Sequence, residues 1–324
     1  MQLKLDPHLV GRFGAGLDRL IPGDARIGLA VSGGPDSLAL LLLASAARPG
    51  AVEAATVDHS LRAESADEAA MVAGLCATLG VPHATLAIRW DRKPETALQE
   101  RSRAERYRLL GGWLERRGLG VLATAHHLDD QVETLLMRLN RGAGVRGLAA
   151  IRPVATVPGT GQPLLRPLLD WRREDLASVC RIAGVSPAAD PGNSDDRFER
   201  VRVRNALAQL DLLDVPAIGQ SVANLAEADA ALEWAVEHHW RTAVAADSGE
   251  LRYTPGDAPP EIRRRIAAKA VAELASEGPL QLRGRELNEL LGALTAGGTA
   301  TLRGVRCSGG ETWRFASAPP RRLA

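Results

Sequence analysis

The chain has 324 residues, of which 45 % are apolar and 24 % charged, with 40 Lys and Arg against 39 Asp and Glu. This composition supplies a hydrophobic core and excludes wholesale disorder, and the length predicts two domains. The longest apolar run, Leu38 to Ala47, is far shorter than the roughly 20 residues of a membrane span, and the N-terminus lacks the apolar segment of a signal peptide.

Short apolar runs alternate with helical patterns over the first 140 residues. The runs predict strands at 26–31, 52–58, 83–88 and 121–125, and the patterns predict helices at 36–47, 64–79, 96–117 and 129–139. Strands of this length, each followed by a helix, are typical of βαβ units. We therefore expect an α/β fold with a parallel sheet and helices on both faces.

The pattern changes after Asn140, where Gly and Pro predict a loop, followed by a strand at 165–169 and a helix at 172–183. Turn residues and then helical charge spacing follow at 190–205. We expect a boundary near 211–216, separating a domain of residues 1–212 from a smaller, mostly helical domain of residues 213–324. That second domain is predicted to have helices at 217–245, 260–276 and 284–293, and a short β tail that turns at Ser308, Gly309 and Gly310.

Charge and cysteine content restrict the function classes. Residues 261–324 carry 11 Lys and Arg against 6 Asp and Glu, almost all of the basic residues being arginine. Arginine suits phosphate oxygens, so either a polyanionic partner or an ordinary solvated surface explains the excess. The three cysteines lie far apart, which disfavours disulfides and a cysteine zinc site and is consistent with a reducing cytoplasm.

A glycine-rich loop directly follows the first predicted strand. Glycines allow a tight turn and close approach to an anion, and the next helix offers free N–H groups at its N-terminus. The loop lacks the lysine of a Walker A motif, and Asp36 within it is best explained as a Mg²⁺ ligand beside phosphates, the alternative being that Asp36 and Ser37 only cap the helix. The loop resembles the PP-loop of ATP pyrophosphatases, and its residues are Ser32, Gly33, Gly34, Pro35, Asp36 and Ser37.

A second group of polar residues, from Thr124 to Thr134, begins at the end of the fourth strand. Parallel strands end at one edge of a sheet, so this group and the glycine loop are expected at the same edge. Asp130 and Glu133 share a helical face. From spacing alone, the carboxylates could be partners of the helix dipole, the histidines could be strand-end residues, or the group could hold a metal.

Several motifs together resemble the tRNA(Ile)-lysidine synthetase family of the PP-loop superfamily. They run from residue 25 to residue 205 in the order found in that family, with departures at Gly192 and at His59-Ser60. The motifs are the glycine loop, Val57 to Ala69, Arg103 to Tyr107, Thr124 to Leu148, Arg166 to Leu169, Asp190 to Asn193 and Arg200 to Asn205.

The resemblance implies a ligase that forms a carbon–nitrogen bond. ATP adenylates the C2 oxygen of the cytidine at the first anticodon position of tRNA(Ile) with a CAU anticodon, and free L-lysine then attacks C2 through its ε-amine. The products are lysidine, AMP and diphosphate. ATP and Mg²⁺ are the implied cofactors, no membrane is involved, and a homodimer is left open.

The resemblance also implies roles for individual residues. Asp36, Asp130 and Arg103 are expected to be catalytic, and Asp36 is expected to hold Mg²⁺. ATP is expected to contact the six loop residues together with Ala30 and Arg106. The tRNA and lysine are expected to contact Asp130, Glu133, His127, Arg202 and Arg204.

Three other functions are alternatives for this sequence. A PP-loop tRNA sulfurtransferase generally needs a cysteine pair or an iron–sulfur cluster, which the isolated cysteines disfavour. A non-catalytic tRNA-binding protein has no need of an intact glycine loop and Asp129–Glu133 segment. An ATP-dependent small-molecule amide synthetase has no need of the basic C-terminal part.

Overall fold

The computed structural model describes residues 4–59, 64–90, 98–188, 197, 199–209, 212–275, 282 and 284–318. The chain divides into two compact units, Met1–Ala223 and Asn224–Ala324, where the sequence predicted a boundary after residue 212. The predicted motif at 190–193, residues 60–62 of the second motif and the predicted helix start at 96–97 lie outside the described residues.

The first unit follows the predicted alternation of strands and helices. Its elements are α1 (Pro7–Asp18), β1 (Ile27–Ala30), α2 (Pro35–Ala47), β2 (Val52–Asp58), α3 (Glu64–Leu79), β3 (His83–Ala87), α4 (Leu98–Arg117), β4 (Val121–Ala123), α5 (Leu128–Leu139), α6 (Val145–Leu148), β5 (Val154–Thr156), β6 (Pro163–Leu165), α7 (Arg173–Ala183) and α8 (Glu199–Ala208).

These strands form one sheet in the order β3-β2-β1-β4-β6-β5. The pairs β2–β3, β1–β2, β1–β4 and β4–β6 are parallel, and β5 alone pairs antiparallel, at the edge. The register aligns Ile27 of β1 with Val52 of β2 and with Val121 of β4. The segments that follow β1, β4 and β6 therefore share the carboxyl edge of the sheet, and the predicted α/β class is confirmed.

Helices pack on both faces of this sheet. On one face α1, α2 and α7 form a core in which α2 is buried from Leu38 to Ala44. On the other face α4 buries Tyr107, Leu110, Trp113 and Leu114. A helix that is apolar on every side belongs in the interior, which explains the long apolar run of α2 without a membrane. None of the helices in the described ranges is long and apolar enough to span a bilayer.

Helix α1 is an element that the sequence analysis missed. It begins after Asp6, whose Oδ1 accepts a hydrogen bond from the backbone N–H of His8 (2.8 Å), and Pro7 fills its first position. An Asp cap followed by Pro is a helix-start signal. Phe13 and Leu17 of α1 pack into the core.

The second unit combines helices with an antiparallel sheet. The long helix α9 (Val215–Ala243) ends in this unit, and the order of the sheet is β7-β8-β11-β10-β9. We predicted the tail strands but not β7 and β8, and the last turn begins after Ser308 rather than at it. The other elements are β7 (Val244–Asp247), β8 (Glu250–Tyr253), α10 (Pro260–Leu274), α11 (Gly284–Thr295), β9 (Thr299–Leu302), β10 (Val305–Ser308) and β11 (Trp313–Ser317).

Close packing of α4 on β1 yields a test of the fold. A Cβ atom added at Gly28 would lie 2.5 Å from Leu114 Cδ2 and 2.7 Å from Trp113 Cζ3. We expect Gly28→Ala to lower the free energy of unfolding by about 1–3 kcal/mol, because buried side chains must move aside. Gly120→Ala is the matched control, since its Cβ meets no atom within 4 Å. Urea unfolding of both variants measures the difference, and equal stability would contradict this packing.

Candidate active site

The glycine loop joins β1 to α2 and is closed by Ser37. The backbone N–H of Ser32 donates to Ser37 Oγ (3.1 Å), and the Ser37 hydroxyl donates to the Gly34 carbonyl (2.9 Å). Gly33 has φ +89°, a conformation that favours glycine. No side chain caps α2, because Gly34 occupies the cap position. Ser37 therefore closes the loop, and the first amides of α2 are left without a side-chain cap, as an anion site requires.

A buried histidine links this loop to α5. His127, only 1 % exposed, has Nε2 3.5 Å from Asp36 Oδ2 and 3.6 Å from Asp130 Oδ2, and Nδ1 3.5 Å from Asp129 Oδ2. Burial would lower the pKa of His127, but these three carboxylates raise it to about 9. The imidazole is therefore a cation at neutral pH and offsets part of the acidic charge around it.

Asp129 and Asp130 begin α5 in different surroundings. Asp130 accepts a hydrogen bond from the backbone N–H of His127 (3.1 Å), which caps the helix. Asp129 accepts one from the backbone N–H of Arg173 (2.8 Å). Although burial acts to raise the pKa of Asp129, His127, Arg173 and Arg172 together hold it well below its usual range. Both carboxylates therefore lie beside His127, Asp129 being held in addition by the start of α7 and Asp130 lying 3.9 Å from Arg200 Nη1.

Glu133 lies one turn further along α5, buried among arginines. Its carboxylate accepts hydrogen bonds from Arg173 Nη2 (3.0 Å) and Arg204 Nε (2.8 Å), and Arg200 Nε lies 3.7 Å away. A buried carboxylate needs such partners to remain ionised. Glu133 therefore already has cationic partners in the ligand-free protein.

The arginines of α8 divide between two directions. The chain is helical from Glu199 to Ala208, so Arg200 and Arg204, four residues apart, share the face toward α5. Arg202 does not join them: its Nη1 donates to the Arg197 carbonyl (3.2 Å), and the residue lines a cavity of about 350 Å³ between α5 and α8.

His126, beside the acidic group, is neutral. Its Nδ1 lies 3.0 Å from Thr124 Oγ1. Burial lowers its pKa to about 4, Asp130 opposes this shift, and the charges of Arg166, Arg200 and Arg103 lower the pKa further. Adjacent histidines thus carry opposite protonation states at neutral pH because one lies among carboxylates and the other near arginines.

Asp36 has a carboxylate oxygen that is suited to a metal ion. Its Oδ1 atom is buried and has no hydrogen-bond partner in the described part of the chain. A bare carboxylate oxygen beside a phosphate-binding loop fits Mg²⁺, which commonly takes one or two carboxylates together with substrate phosphates. Across the described residues, no group of three His, Cys, Asp or Glu is arranged to hold a metal by itself, so the alternative of a histidine–carboxylate metal cluster is not supported.

The other predicted residues lie along the carboxyl half of the sheet. Ala30 is the last residue of β1 and packs against the core of the α4 face. Arg103 and Arg106 of α4 stack on Tyr107, with guanidinium carbons 5.0 and 5.1 Å from the ring centroid. The neighbouring carboxylate of Glu105 pairs with Arg108 (2.8 Å) rather than with either of them.

Comparison with known proteins identifies the family. The family model of the PP-loop domain matches residues 10–211. The tRNA(Ile)-lysidine synthase of Novosphingobium aromaticivorans is 48 % identical over 313 residues, which cover 96 % of this chain and 94 % of the relative. The chain belongs to the tRNA(Ile)-lysidine synthase family. The lysidine synthase of Zymomonas mobilis is 39 % identical and covers 94 % of this chain and 92 % of its own.

Family membership confirms three predictions from the sequence. The resemblance to lysidine synthetases, the PP-loop fold and the assignment as a ligase-type enzyme are all correct. PP-loop proteins of this family use ATP, so the predicted ATP binding is confirmed as a property of the family. Among solved structures, the U34-tRNA thiolase NcsA of Methanococcus maripaludis has a TM-score of 0.56 at 15 % identity, covering 67 % of this chain and 76 % of its own, which is a likeness of fold alone.

Sequence reasoning missed two features of the site. Arg173 and its backbone N–H hold both Glu133 and Asp129, but Arg173 looked like an ordinary start of a helix. Arg166 was quoted only as part of a motif, although it is 8 % exposed and lies near His126. The sequence placed Arg166 inside the predicted strand at 165–169, whereas β6 ends at Leu165 and leaves Arg166 directly after the strand, at the carboxyl edge.

The neutral state of His126 predicts a pH dependence of stability. Because its pKa is about 4 when folded and 6.5 when unfolded, the unfolded chain binds more protons between these values. Stability is then lost as pH falls from 6.5 toward 4, by up to about 3 kcal/mol for this group. His126→Asn should flatten that part of the profile. Urea unfolding from pH 4 to 7 measures it, and parallel wild-type and variant profiles would contradict the assignment.

Proposed function

We propose that this protein ligates free L-lysine to C2 of the cytidine at the first anticodon position of tRNA(Ile) with a CAU anticodon. ATP first transfers AMP to the C2 oxygen, releasing diphosphate, and the ε-amine of lysine then displaces AMP. The observation that carries the proposal is the contact of His127 with both Asp36 of the glycine loop and Asp130 of α5. A nucleotide loop and an acidic group suited to an amine therefore meet at one point.

The glycine loop and α2 bind the triphosphate in this proposal. Ser32 to Ser37 supply backbone amides and the N-terminus of α2, and Ala30 borders the nucleotide at the end of β1. Asp36, whose Oδ1 atom is buried without a hydrogen-bond partner in the described structure, is the residue that would hold Mg²⁺. When bound, Mg²⁺ neutralises phosphate charge and orients the phosphates. His127 carries the positive charge that keeps Asp36 and Asp130 close together.

Asp130 is the proposed acceptor for the lysine amine. An ε-ammonium has a reference pKa near 10.4, so its neutral, nucleophilic form costs about 4.6 kcal/mol at pH 7. A carboxylate beside the ammonium positions it but also stabilises its charged form, so Asp130 is proposed to take the proton as the new C–N bond forms and the nitrogen becomes more acidic. Glu133 contributes to the same pocket, but it reaches the amine only by releasing Arg173 or Arg204. We therefore expect Asp130 to matter more for lysine.

Arginines are proposed to bind the phosphoryl groups and the RNA. Arg103 and Arg106 stabilise negative charge on the α-phosphate and the adenylated oxygen as it develops. Arg204 contacts the substrates from α8. Arg202, predicted together with Arg204, is proposed to contact the RNA rather than the lysine, because its Nη1 donates to the Arg197 carbonyl and not to Glu133. A tRNA substrate implies a cytoplasmic reaction.

The sheet of the second unit offers a further surface for tRNA. Its strands alternate, with Tyr253 and Trp313 buried and Arg252, Arg306 and Arg314 exposed. Arg252 of β8 lies directly opposite Arg314 of β11. Arg252 is already paired with Glu250 (2.6 Å) and Asp247 (3.4 Å), so Arg306 and Arg314 are the exposed arginines of this sheet that we propose for a phosphate backbone.

A turnover assay tests the proposal directly. Purified protein is given ATP, isotopically labelled lysine and tRNA(Ile), and incorporation of one lysine per tRNA is expected. A parallel reaction supplies a sulfur donor in place of lysine. Sulfur incorporation without lysine incorporation would replace the proposal with the sulfurtransferase alternative, which the buried cysteines Cys76, Cys180 and Cys307 do not favour.

Two carboxylate variants separate the half-reactions. Asp36→Asn should reduce diphosphate release on the order of 100-fold because the metal ligand is lost, while tRNA still binds. Asp130→Asn should raise the KM for lysine about 10-fold and leave diphosphate release from ATP and tRNA nearly intact. Asp24→Asn, at an exposed position, is the control. Diphosphate release at the wild-type rate in Asp36→Asn would remove the metal role.

The exposed arginines of the second unit yield a salt-dependence test. Replacing Arg306 and Arg314 together by Gln should weaken tRNA binding and reduce the slope of log K against log salt by about 1 to 2. The matched control replaces two other exposed arginines, Arg116 and Arg285, by Gln. Fluorescence anisotropy over 50–300 mM salt measures both, and identical slopes would exclude this face from RNA binding.

A further inference from the structure

Three arginines surround Tyr107 at the carboxyl edge of the first unit. Arg103 and Arg106 of α4 stack on its ring. Arg166 directly follows β6, is 8 % exposed, and donates from Nη1 to the Arg152 carbonyl (2.6 Å), while its Nε is buried without a partner. Arg166 lies near Arg103 and Tyr107, since both residues influence its pKa.

In the part of the chain that the structure describes, no carboxylate is paired with this cluster of positive charge. Within the described ranges, the salt bridges involve none of the guanidinium groups of Arg103, Arg106 and Arg166. Burial lowers the pKa of Arg106 and of Arg166, and the neighbouring charge of Arg103 lowers both further. An arginine nevertheless stays protonated at neutral pH. Partly buried like charges of this kind are stabilised when an anion binds between them.

The hydroxyl of Tyr107 points to the same conclusion. Tyr107 is 1 % exposed, and its buried hydroxyl lies near the Arg106 guanidinium, which can only donate, so the phenol proton has no acceptor among the described residues. A buried polar group without a partner costs free energy, so it usually marks a bound water, ion or ligand. An anion held by the arginines would provide the missing acceptor.

We propose that Arg166 and Tyr107 complete, with Arg103 and Arg106, a binding site for a phosphate group beside the acidic centre. This site rests on the proposed function, which gives Arg103 and Arg106 a role in binding phosphoryl groups but gives no role to Arg166 or Tyr107. Arginine forks and a phenol hydroxyl suit the several acceptor oxygens of a phosphate. The phosphate belongs either to ATP and its diphosphate product or to the RNA backbone next to the reacting cytidine.

Binding measurements on the full-length protein separate these two sources. Mg²⁺–ATP and inorganic diphosphate are titrated by calorimetry, and tRNA(Ile) by fluorescence anisotropy. Arg166→Gln should weaken the binding of either ATP and diphosphate or tRNA(Ile) at least 10-fold. Arg166→Lys should retain part of that affinity, because lysine keeps the positive charge but lacks the two-pronged guanidinium. Arg101→Gln, an equal charge change at an exposed position of α4, should stay within 2-fold of wild type.

Tyr107→Phe keeps the inference testable if Arg166→Gln fails to fold. It removes only the unpaired hydroxyl, so we expect a melting temperature at or above that of wild type and 3- to 10-fold weaker binding of the same ligand. Loss of ATP and diphosphate affinity alone assigns the phosphate to the nucleotide, and loss of tRNA affinity alone assigns it to RNA. Unchanged affinity for all three ligands in Tyr107→Phe and Arg166→Lys would overturn the inference.

The wild-type turnover assay distinguishes a failure of the phosphate site from a failure of the proposed function. Lysine incorporation by wild type, combined with unchanged ligand affinities in the variants, contradicts only the phosphate site. Wild-type protein that incorporates no lysine contradicts the proposed function, and weaker phosphate binding in the variants would still support the site.

Discussion

The His127 imidazolium holds the glycine loop and α5 in a common site. It lies among Asp36, Asp129 and Asp130, which come from two separate elements and would otherwise repel one another in a poorly solvated space. Its raised pKa records the strength of this attraction. The glycine loop and α5, which carries Asp129 and Asp130, are therefore coupled through one buried charge.

Around this centre the first unit separates acidic and basic groups. Carboxylates that serve structure, such as Asp129 and Glu133, are saturated by backbone N–H groups or by arginines. Asp36 keeps a bare oxygen beside the loop. The arginines near Tyr107 show the opposite imbalance, with cationic groups that lack an anionic partner in the described structure. One edge of the sheet therefore carries both a carboxylate without a cationic partner and arginines without an anionic partner. The proposed reaction between a metal-bound nucleotide, an amine and an RNA requires groups of both kinds.

Several features could be predicted because their causes are local. The strands and helices of the first unit follow from apolar periodicity, and the bounds of β2 and α3 agree with prediction to the residue. The glycine loop could be located because its glycines, Pro35 and Ser37 act on adjacent backbone. Helix α1 was missed although Asp6 and Pro7 form a helix-start signal. Strands β7 and β8 were missed because their Ala-rich and charged residues do not show a clear alternation of apolar and polar positions.

The sequence by itself determined the fold class, the family and the identity of the residues at the sheet edge. Strand ends in a parallel sheet have fixed positions, so the glycine loop and the α5 carboxylates had to meet there. Only the tertiary structure decided the charge states and partners. His127 is charged, His126 is neutral and Glu133 is paired with Arg204, because each state depends on side chains that are distant in the chain. Electrostatic interactions and burial act through space, and no local pattern in the sequence records them.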